Sequence, residues 1–477
     1  MEAVTNQPKL IVDLDGTLIK TDLLFETAVV FLKQTPLSLP LLAVWLARGK
    51  ANLKERIAER VDIDVASLPY NEEFMNFLRA EHSAGRKIWL ATASHRKFAE
   101  QIAAHLGIFE RVLATNKGLN LSGKAKLDKL VSELGPKRFD YAGNALVDLL
   151  IWSHARGAVI VHPRPGVEKA AAHLPTVEKV FPRQKTTLLT FLRAIRVLHW
   201  VKNLLIFAPL FLAHRVDELP LLLNCVIAFL AFSLTASSAY VLNDLLDLEP
   251  DRRHPKKRHR PFASGDLSPT SSLWLVPTLL GGAGLLATFL PLAFTLVLLT
   301  YFTGTMAYSI KLKRHAMMDV MSLAGLYTLR IVAGLVVIST PWTFWLLAFS
   351  VFIFLSLALI KRYSELRIMR LEGKHEAAGR GYHVDDFTIL CSAGIASGYL
   401  AALVLALYVN SPEVLRLYHI PEAIWLICFL LLYWISRMWM ITHRGDMHDD
   451  PIVFALTDGP SYLIGAVAVA IVVGATL

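Results

Sequence analysis

Cysteine is scarce in this 477-residue chain, and its distribution excludes two kinds of site. The three cysteines, Cys225, Cys391 and Cys428, all lie in apolar runs, and residues 1 to about 185 contain none. Neither a disulfide framework nor a cysteine-ligated zinc site is therefore expected. The first residues also lack a basic stretch followed by an apolar core, so we expect no signal peptide and a first domain that stays in the cytosol.

Charge is also scarce, because charged residues make up 18% of the chain and hydrophobic residues 54%, with a mean hydropathy of +0.46. This balance excludes an ordinary soluble globule. Residues 1 to about 185 mix charge and hydrophobicity normally, whereas long apolar runs dominate the remainder. The chain has a net charge of +10, and many of its basic residues lie between those apolar runs. That arrangement favours cytoplasmic loops and phosphate-binding sites, and no nucleic-acid partner is expected.

Two carboxylates follow the first predicted strand. In PKLIVDLDGTL the apolar run 10–12 ends in Asp13, and Asp15 follows two residues later, before Gly16. The period-two geometry of a strand points both carboxylates the same way, and Mg²⁺ shared with a substrate phosphate would relieve their repulsion. The alternative is a strand-to-helix turn in which Asp and Gly serve only turn chemistry.

Three further segments follow in a fixed order. RKIWLATAS is a predicted strand ending in Thr92 and Ser94, GKAKLDKL supplies Lys124 and Lys126, and FDYAGNALVDLL ends a strand with Gly143, Asn144 and Asp148. With the first segment, they resemble the haloacid dehalogenase superfamily over most of residues 8–165. The resemblance implies a soluble Rossmannoid α/β domain with phosphatase chemistry.

The resemblance also implies a role for each motif residue. Asp13 would be the nucleophile that forms an aspartyl-phosphate, and Asp15 the general acid/base. Thr92 and Lys126 would hold the phosphoryl oxygens, with Lys126 preferred over Lys124. The magnesium ligands would be Asp13, Asp15, Asn144 and Asp148. Asn144 stands where the family usually has an acid, which removes one negative charge from the metal site and leaves a non-catalytic domain as an alternative.

Segment 23–64 separates the first two motifs and fits a small helical cap. Its apolar run 37–46 is too short to span a bilayer, so it is either cap core or a patch on the membrane surface. A Pro-rich and then basic stretch before the membrane segments suits an amphipathic linker. We predict a haloacid dehalogenase-like domain at 1–182, this linker at 183–198 and a membrane domain at 199–477.

The membrane domain is predicted to be an all-α polytopic bundle with about nine apolar segments. The first is short and could re-enter the membrane. Basic loops alternate with uncharged turns, so the positive-inside rule places those loops and the N-terminal domain on the cytosolic side of the membrane. The approximate segments are 201–214, 219–243, 270–289, 291–310, 318–338, 342–360, 387–409, 422–440 and 452–475.

Three aspartates mark the cytosolic end of the second apolar segment. In NDLLDLEPD, Asn243 precedes Asp244, and Asp247 and Asp251 follow at steps of three and four. Those steps place the three carboxylates on one helical face, where Mg²⁺ and a diphosphate would compensate their repulsion. A solvated helix end would not explain why basic residues follow at once, namely Lys256, Lys257, Arg258 and Arg260.

These motifs resemble the UbiA-type prenyltransferase superfamily over roughly residues 192–477. NDLLDLEPD and HPKKRHRP match its first aspartate motif, and RVLHWVKNLLIFAPL, YSIKLKRHAMMDV, LYTLRIVAG and KRYSELR are similar to the bacterial branch that makes polyprenyl-phosphate phosphoribose. The resemblance implies that a polyprenyl phosphate attacks C1 of phosphoribosyl diphosphate, with Mg²⁺ as cofactor. The implied metal ligands are Asp244, Asp247, Asp251 and Asp319, and the implied substrate-binding residues are Lys202, Asn243, Lys257, Arg260, Tyr308, Lys313, Arg330, Lys361 and Arg362.

The second aspartate motif of the superfamily lacks its second acid in this chain, which supports the branch that makes polyprenyl-phosphate phosphoribose. Aromatic prenyltransferases usually carry two acids four residues apart there, whereas Asp319 is followed four residues later by Leu323. We predict transfer of phosphoribose, followed by hydrolysis of its 5-phosphate to give polyprenyl-phosphoryl ribose. The alternative is transfer of a prenyl group from prenyl diphosphate to an aromatic or other acceptor, beside a non-catalytic first domain. The acidic loop THRGDMHDDP is expected to be solvated, and no oligomeric state is predicted.

Overall fold

The computed structural model describes residues 7–116, 118–172, 176–183, 186–341, 344–373, 380–411, 414, 418–447, 450–455 and 457–476. The chain forms two compact units. One comprises Met1–Arg196 with Tyr240–Val276, and the other Val197–Ala239 with Pro277–Leu477. The segment that carries the first aspartate motif therefore belongs to the same unit as the N-terminal domain, while the domain boundaries at 182 and 198 stay predictions.

The first unit contains a parallel sheet of six strands in the order β3–β2–β1–β4–β5–β6. The apolar runs form the central strands because helices cover both faces of a parallel sheet. This is the predicted Rossmannoid α/β fold, and it places the carboxyl ends of β2, β1 and β4 side by side. The strands are β1 (Lys9–Val12), β2 (Ile88–His95), β3 (Arg111–Thr115), β4 (Phe139–Gly143), β5 (Ala158–Val161) and β6 (Val177–Phe181).

Three helices between β1 and β2 form the predicted helical cap. The first begins where the Asp22 side chain accepts a hydrogen bond from the Phe25 N–H group at 3.0 Å. The cap helices are α1 (Leu23–Gln34), α2 (Leu39–Ala47) and α3 (Lys50–Ala58). The other helices before the membrane segments are α4 (Glu72–Ser83), α5 (Arg96–Leu106), α6 (Lys124–Leu134), α7 (Leu149–Trp152), α8 (Val167–Ala171) and α9 (Leu188–Ala194).

The apolar run of the cap is mostly exposed. Leu37 is 95% exposed and Leu39 62%, and Val44 and Leu46 are about half exposed, whereas Trp45 is buried against Phe31. A cap core would bury most of this run. The exposure therefore favours a patch that rests on the membrane surface.

Eight helices of the described residues are long and apolar enough to cross a membrane. A ninth span results if α9 and Val197–Leu212, which meet at a bend of 52°, are counted as one, and this bend fits the short first segment. The chain is thus a multi-pass integral membrane protein. The helices are α10 (Ala208–Leu212), α11 (Leu219–Leu246), α12 (Leu248–Arg253), α13 (Ser272–Ala287), α14 (Leu292–Ile310), α15 (Met318–Val337), α16 (Phe344–Leu371), α17 (Phe387–Val409), α18 (Trp425–Arg444), α19 (Pro451–Ala455) and α20 (Gly459–Thr476).

In the second unit, an apolar core lies between α15, α16, α17 and α18, where the helices bury aliphatic and aromatic side chains against one another.

Short 3₁₀ helices connect many of these elements. The 3₁₀ helices are Pro36–Ser38, Val65–Ser67, Leu146–Asp148, Val197–Phe207, Lys257–His259, Pro269–Ser271, Leu312–Arg314, Val384–Asp386 and Pro421–Ile424.

Candidate active sites

Asp13 lies directly after β1 and meets a lysine from α6. Lys126 Nζ donates to Asp13 Oδ1 at 2.8 Å and also lies 3.1 Å from the Tyr141 hydroxyl. Lys126 is buried, whereas Lys124, at the start of the same helix, is exposed. The structure therefore brings Lys126, and not Lys124, to Asp13.

Asp15 is half-buried and is bound by the end of β2. The Ser94 hydroxyl donates to Asp15 Oδ2 at 2.6 Å, and the Ser94 N–H group donates to Thr92 Oγ1 at 2.9 Å. Burial raises the pKa of Asp15 to about 7, and the neighbouring carboxylates Asp22 and Asp13 add to the rise. Ser94, to which the superfamily resemblance gave no role, is thus the side chain that contacts Asp15 directly. Thr92 contacts Ser94 instead.

Asp148 is held at the end of β4 by backbone donors. The N–H groups of Asn144 and Ala145 both donate to its Oδ2 at 2.9 Å. Burial raises the pKa of Asp148, and Asp13 raises it further. The Asn144 side chain lies against Gly16, where a Cβ atom would come within 2.1 Å of the Asn144 amide nitrogen. Asp148 therefore lies near Asp13, and Asn144 lies against the glycine that follows Asp15.

Lys54 is a site residue that the motif comparison missed. It lies on α3 of the cap, and its Nζ donates to the Ala93 carbonyl at 2.6 Å and to Asn120 Oδ1 at 3.0 Å. Burial lowers the pKa of Lys54, and the Asp15 carboxylate opposes that shift. A lysine between the apolar residues Leu53 and Ile57 of an amphipathic helix is the sequence signal that marks it.

The site around Asp13 fits Mg²⁺ that is shared with a substrate phosphate. Its donor set contains three carboxylates, Asp13, Asp15 and Asp148, and Mg²⁺ is usually bound by one or two carboxylates together with substrate phosphate oxygens. Across the described ranges, no group of three or more His, Cys, Asp or Glu side chains is arranged to hold a metal by itself. Phosphate oxygens would therefore have to complete the coordination shell.

The aspartate motif does not lie on one unbroken helix. α11 ends before Asp247, which caps α12 with a φ of −108°. Asp244 and Asp251 are each 3% exposed, and Arg260 NH1 lies 3.3 Å and 2.6 Å from their carboxylates. Asp247 instead lies 3.5 Å from Lys33 of the cap. Asp244 and Asp251 therefore form a pair that shares Arg260, while the placement of all three carboxylates on one helical face stays a prediction.

Arg196 is a second cation at this pair. It donates to Asp244 Oδ1 and stacks on the Tyr240 ring at 5.0 Å. Burial raises the pKa of Asp251, while Arg260 and the half-buried Lys257 oppose the rise. Guanidinium groups also bind phosphate oxygens, so a magnesium diphosphate fits this donor set by exchanging partners with the arginines. The half-buried Asn243 lies beside Asp244 in the last turn of α11.

The second unit contains a separate group of lysines around Asp450. Lys202 is buried and donates to Asp450 Oδ2. Burial opposes ionisation of Asp450, but Lys202 and Lys361 lower its pKa to about 2. The expectation of a solvated acidic loop is thus wrong for Asp450, because its carboxylate accepts a hydrogen bond from Lys202 and is also attracted by Lys361. His448 and Asp449 of the same loop lie outside the described residues.

Asp319, Arg362 and Tyr308 form one buried network. Arg362 donates to both carboxylate oxygens of Asp319 and to the Tyr308 hydroxyl, and that hydroxyl donates to Asp319 Oδ1 at 2.8 Å. A carboxylate bound in this way has its charge compensated by the guanidinium group. A metal on Asp319, or a substrate on Arg362, would require this pair to open.

Arg330 is also occupied by protein partners. Its Nε donates to Asn203 Oδ1 at 2.8 Å and its NH2 to the Tyr301 hydroxyl at 3.1 Å, and it stacks on the Tyr327 ring at 5.0 Å. These contacts favour a structural role over the predicted substrate contact. Lys313 lies half-buried in the 3₁₀ turn Leu312–Arg314.

Comparison with known families assigns both parts of the chain. The model of the UbiA prenyltransferase family matches residues 204–459. The chain belongs to the UbiA prenyltransferase family. The model of the haloacid dehalogenase-like hydrolases matches residues 10–133. The protein is therefore a UbiA-family membrane transferase with an N-terminal haloacid dehalogenase-like hydrolase domain.

The proteins that are similar to this chain include two relatives and one solved structure. An uncharacterized protein of Sinorhizobium fredii is 37% identical over 460 residues, which are 96% of this chain and 89% of that protein. The decaprenyl-phosphate phosphoribosyltransferase of Mycobacterium tuberculosis is 36% identical over 189 residues, which are 38% of this chain and 61% of that protein. A structure of a UbiA homolog from Archaeoglobus fulgidus bound to DMAPP and Mg²⁺ is 18% identical with a TM-score of 0.46, covering 60% of this chain and 99% of that one.

The UbiA aspartate motif is joined to the hydrolase cap by a buried ion pair. Arg252 NH1 and NH2 donate to the two carboxylate oxygens of Glu26, on α1, at 2.9 Å and 2.7 Å. Both side chains are 7% exposed. The next residue, Arg253, pairs with Asp64 at 2.7 Å, but its side chain is 59% exposed. The buried pair therefore contributes more to the attachment than the exposed one.

Replacing Arg252 with Gln is expected to destabilise the first unit by about 3–5 kcal/mol, because the Glu26 carboxylate would remain buried without its cation. The matched control, Arg253→Gln, should cost less than about 1 kcal/mol, since it removes an exposed pair. Denaturant unfolding of the full chain in detergent micelles measures both. Equal losses of unfolding free energy in the two variants would show that the burial of the Arg252–Glu26 pair is unimportant.

Proposed function

We propose that this chain transfers phosphoribose from phosphoribosyl diphosphate to a polyprenyl phosphate, and that its hydrolase domain then removes the 5-phosphate of the product. The observation that carries the proposal is that the aspartate motif of a transferase family and a phosphatase-type carboxylate site belong to one compact unit. A decaprenyl-phosphate phosphoribosyltransferase among the relatives supports the choice of substrates.

In the first step, the bond between C1 of the ribose and the diphosphate breaks, and an oxygen of the polyprenyl phosphate bonds to C1. The diphosphate leaves with the electron pair. Asp244, Asp247 and Asp251 would hold Mg²⁺, which neutralises the charge that develops on the leaving diphosphate. Arg260 and Arg196 would pair with diphosphate oxygens, since both already lie at the Asp244 carboxylate.

We assign the phosphate of the acceptor lipid to Lys202 and Lys361. Both lysines act on the Asp450 carboxylate, so each has its ammonium group near a single anionic position. Lysine binds phosphate as a point charge, and a phosphate there would compete with Asp450 for these cations. The lipid chain would remain in the bilayer.

A Lys202→Met variant should raise the KM for polyprenyl phosphate about tenfold, the effect of one lost charge-assisted hydrogen bond. Lys202→Arg should restore part of the affinity, because it keeps the positive charge. The matched control is Lys311→Met, which removes an exposed lysine of the same unit. Initial rates in liposomes with varied lipid acceptor test this. A KM that rises equally in both Met variants, or that rises in neither, would contradict the assignment.

In the second step, Asp13 would attack the phosphorus of the 5-phosphate, and the bond from phosphorus to O5′ would break. Asp15 would donate the proton that O5′ takes up as it leaves. A water molecule, which gives its proton to Asp15, would then hydrolyse the aspartyl-phosphate and release inorganic phosphate. Lys126 and Lys54 would hold the phosphoryl oxygens.

The second candidate is transfer of a prenyl group to an aromatic or other acceptor on the same scaffold, beside a non-catalytic hydrolase domain. The buried amide of Asn144 favours the non-catalytic domain, because it lowers the charge of the hydrolase metal site. Two labelled donors separate the candidates. Purified protein in liposomes should transfer label from phosphoribosyl diphosphate to a polyprenyl phosphate. Label that enters product only from prenyl diphosphate would support the second candidate and overturn the first.

The basic loops favour one orientation in the membrane. They alternate with uncharged turns, and the positive-inside rule then assigns the N-terminal domain to the cytosolic face of a bacterial inner membrane. Phosphoribosyl diphosphate is a soluble anion, so this orientation gives the aspartate motif access to it.

A further inference from the structure

A cavity of about 450 Å³ adjoins the hydrolase site. Its volume lies within the range of roughly 300–1,000 Å³ that is typical of small-molecule sites. Gly16, which follows Asp15, and Asn144 line it. Asp22 lines it as well, and its carboxylate acts on Asp15. A group bound in the cavity would therefore lie beside a phosphate that is bound at the reacting carboxylates.

Three permanent cations line the same cavity, namely Lys20, Arg164 and Arg183. Within the part of the chain that the structure describes, none of the three forms an ion pair. Two carboxylates also line the cavity, Asp22 and Asp266, and Asp22 is occupied as the N-cap of α1. The lining thus offers cations that are available to an anionic ligand.

His162 lies within the electrostatic influence of two of these cations, Lys20 and Arg183. It follows β5 with a φ of 45° and lines the cavity. Burial lowers the pKa of His162, and Lys20 and Arg183 lower it further, whereas Glu73 opposes them. Residues from the β1 loop and from the end of β6 therefore bring positive charge to the same place.

The remaining wall comes from the segment that follows the transferase aspartate motif. Gly265 has a φ of +77°, and a Cβ atom there would lie 2.8 Å from Lys20 Cβ, so the two backbones approach closely. Ser268 and Thr270 also line the cavity. Thr21 is 2% exposed, and its hydroxyl has no hydrogen-bond partner among the described residues. A buried hydroxyl without a partner indicates a polar ligand or water at that point.

We propose that this cavity binds a second phosphate group of the substrate while Asp13 acts on the first. The hydrolase domain would then select sugar phosphates that carry a second, non-reacting phosphate, such as the phosphodiester that links the sugar to a lipid. This inference rests on the proposed function and names the substrate class of its second step. Arginine side chains suit the role because their guanidinium groups bind two phosphate oxygens at once.

The test compares three substrates labelled in the 5-phosphate, using the full chain in detergent micelles. They are ribose 5-phosphate, ribose 1,5-bisphosphate and a short-chain polyprenyl-phosphoryl ribose 5-phosphate. We expect kcat/KM to be at least about tenfold higher for the two substrates with a second phosphate. A preference for the lipid-linked compound alone would assign the cavity to a lipid phosphodiester, and an equal preference would assign it to a phosphate of either source. Equal kcat/KM for all three substrates would overturn the proposal.

Single substitutions test the residues. Arg164→Gln and Arg183→Gln should each lower the ratio of kcat/KM between the second-phosphate substrates and ribose 5-phosphate by about tenfold. Arg111→Gln is the matched control, because Arg111 is an exposed arginine at the amino end of β3, paired with Glu133. An unchanged ratio in both cavity variants would overturn the proposal.

A failed phosphatase is distinguishable from a failed cavity. If the chain hydrolyses none of the three substrates, the second step of the proposed function is wrong, and the cavity is tested by calorimetric binding to an Asp13→Asn variant. Ribose 1,5-bisphosphate that binds about tenfold more tightly than ribose 5-phosphate, with the difference lost on Arg183→Gln, would uphold the cavity. Equal binding of the two would overturn it.

Discussion

Asp244→Asn is expected to lower phosphoribose transfer by roughly 10²–10³-fold, the loss typical of removing one group that stabilises developing charge. Asp244 is buried and already lies against two guanidinium groups, Arg196 and Arg260. Replacing its carboxylate with an amide would remove a proposed magnesium ligand and would leave both arginines without that anion. The rate should therefore fall even at saturating donor and acceptor. Formation of radioactive lipid from labelled phosphoribosyl diphosphate in liposomes measures the effect.

Two controls make the Asp244 result specific. Asp217→Asn replaces an exposed aspartate and should change the transfer rate by less than about twofold, since surface substitutions usually have small effects. The Asp244→Asn protein should also still hydrolyse an added lipid-linked ribose 5-phosphate. Transfer at the wild-type rate in Asp244→Asn would remove the aspartate pair from the mechanism.

Asp13→Asn is expected to lower hydrolysis of the 5-phosphate by roughly 10⁴–10⁶-fold, the scale seen when a covalent nucleophile is removed. Lys126 would lose its anionic partner at 2.8 Å, but the sheet that positions both residues would remain. The variant should accumulate the phosphorylated lipid, because its aspartate motif is intact. Mass spectrometry of the extracted lipid measures the extra phosphate.

The control for Asp13 is Asp128→Asn, an exposed aspartate on α6, the helix that carries Lys126. It should release phosphate at close to the wild-type rate. Undiminished phosphate release from Asp13→Asn would exclude the nucleophile role and favour a hydrolase domain that only binds phosphate.

Local sequence patterns predict the fold and the strand-end carboxylates. A short apolar run followed by Asp13, Asp15 and a glycine is typical of the carboxyl end of a buried strand, and the resemblance of the ordered motifs to a known superfamily implied which strands lie beside it. The multi-pass bundle follows in the same way from the length of the apolar runs. These features depend on residues that are close in sequence.

Contacts between distant segments could not be predicted in this way. The Arg252–Glu26 pair joins residues 226 positions apart, and the Lys202–Asp450 pair joins residues 248 apart. Nothing local distinguishes Asp450 from a solvated loop residue. Likewise, the steps of three and four suggested a continuous helix through Asp247, and they gave no sign that the cap lysine Lys33 lies 3.5 Å from that carboxylate.

The most direct test of the two-step account is the stoichiometry of the released products. Wild-type protein in liposomes, supplied with Mg²⁺, phosphoribosyl diphosphate and a polyprenyl phosphate, should release one inorganic phosphate for each diphosphate. Its lipid product should be polyprenyl-phosphoryl ribose without a 5-phosphate. Release of diphosphate alone, with a lipid that keeps its 5-phosphate, would contradict the account.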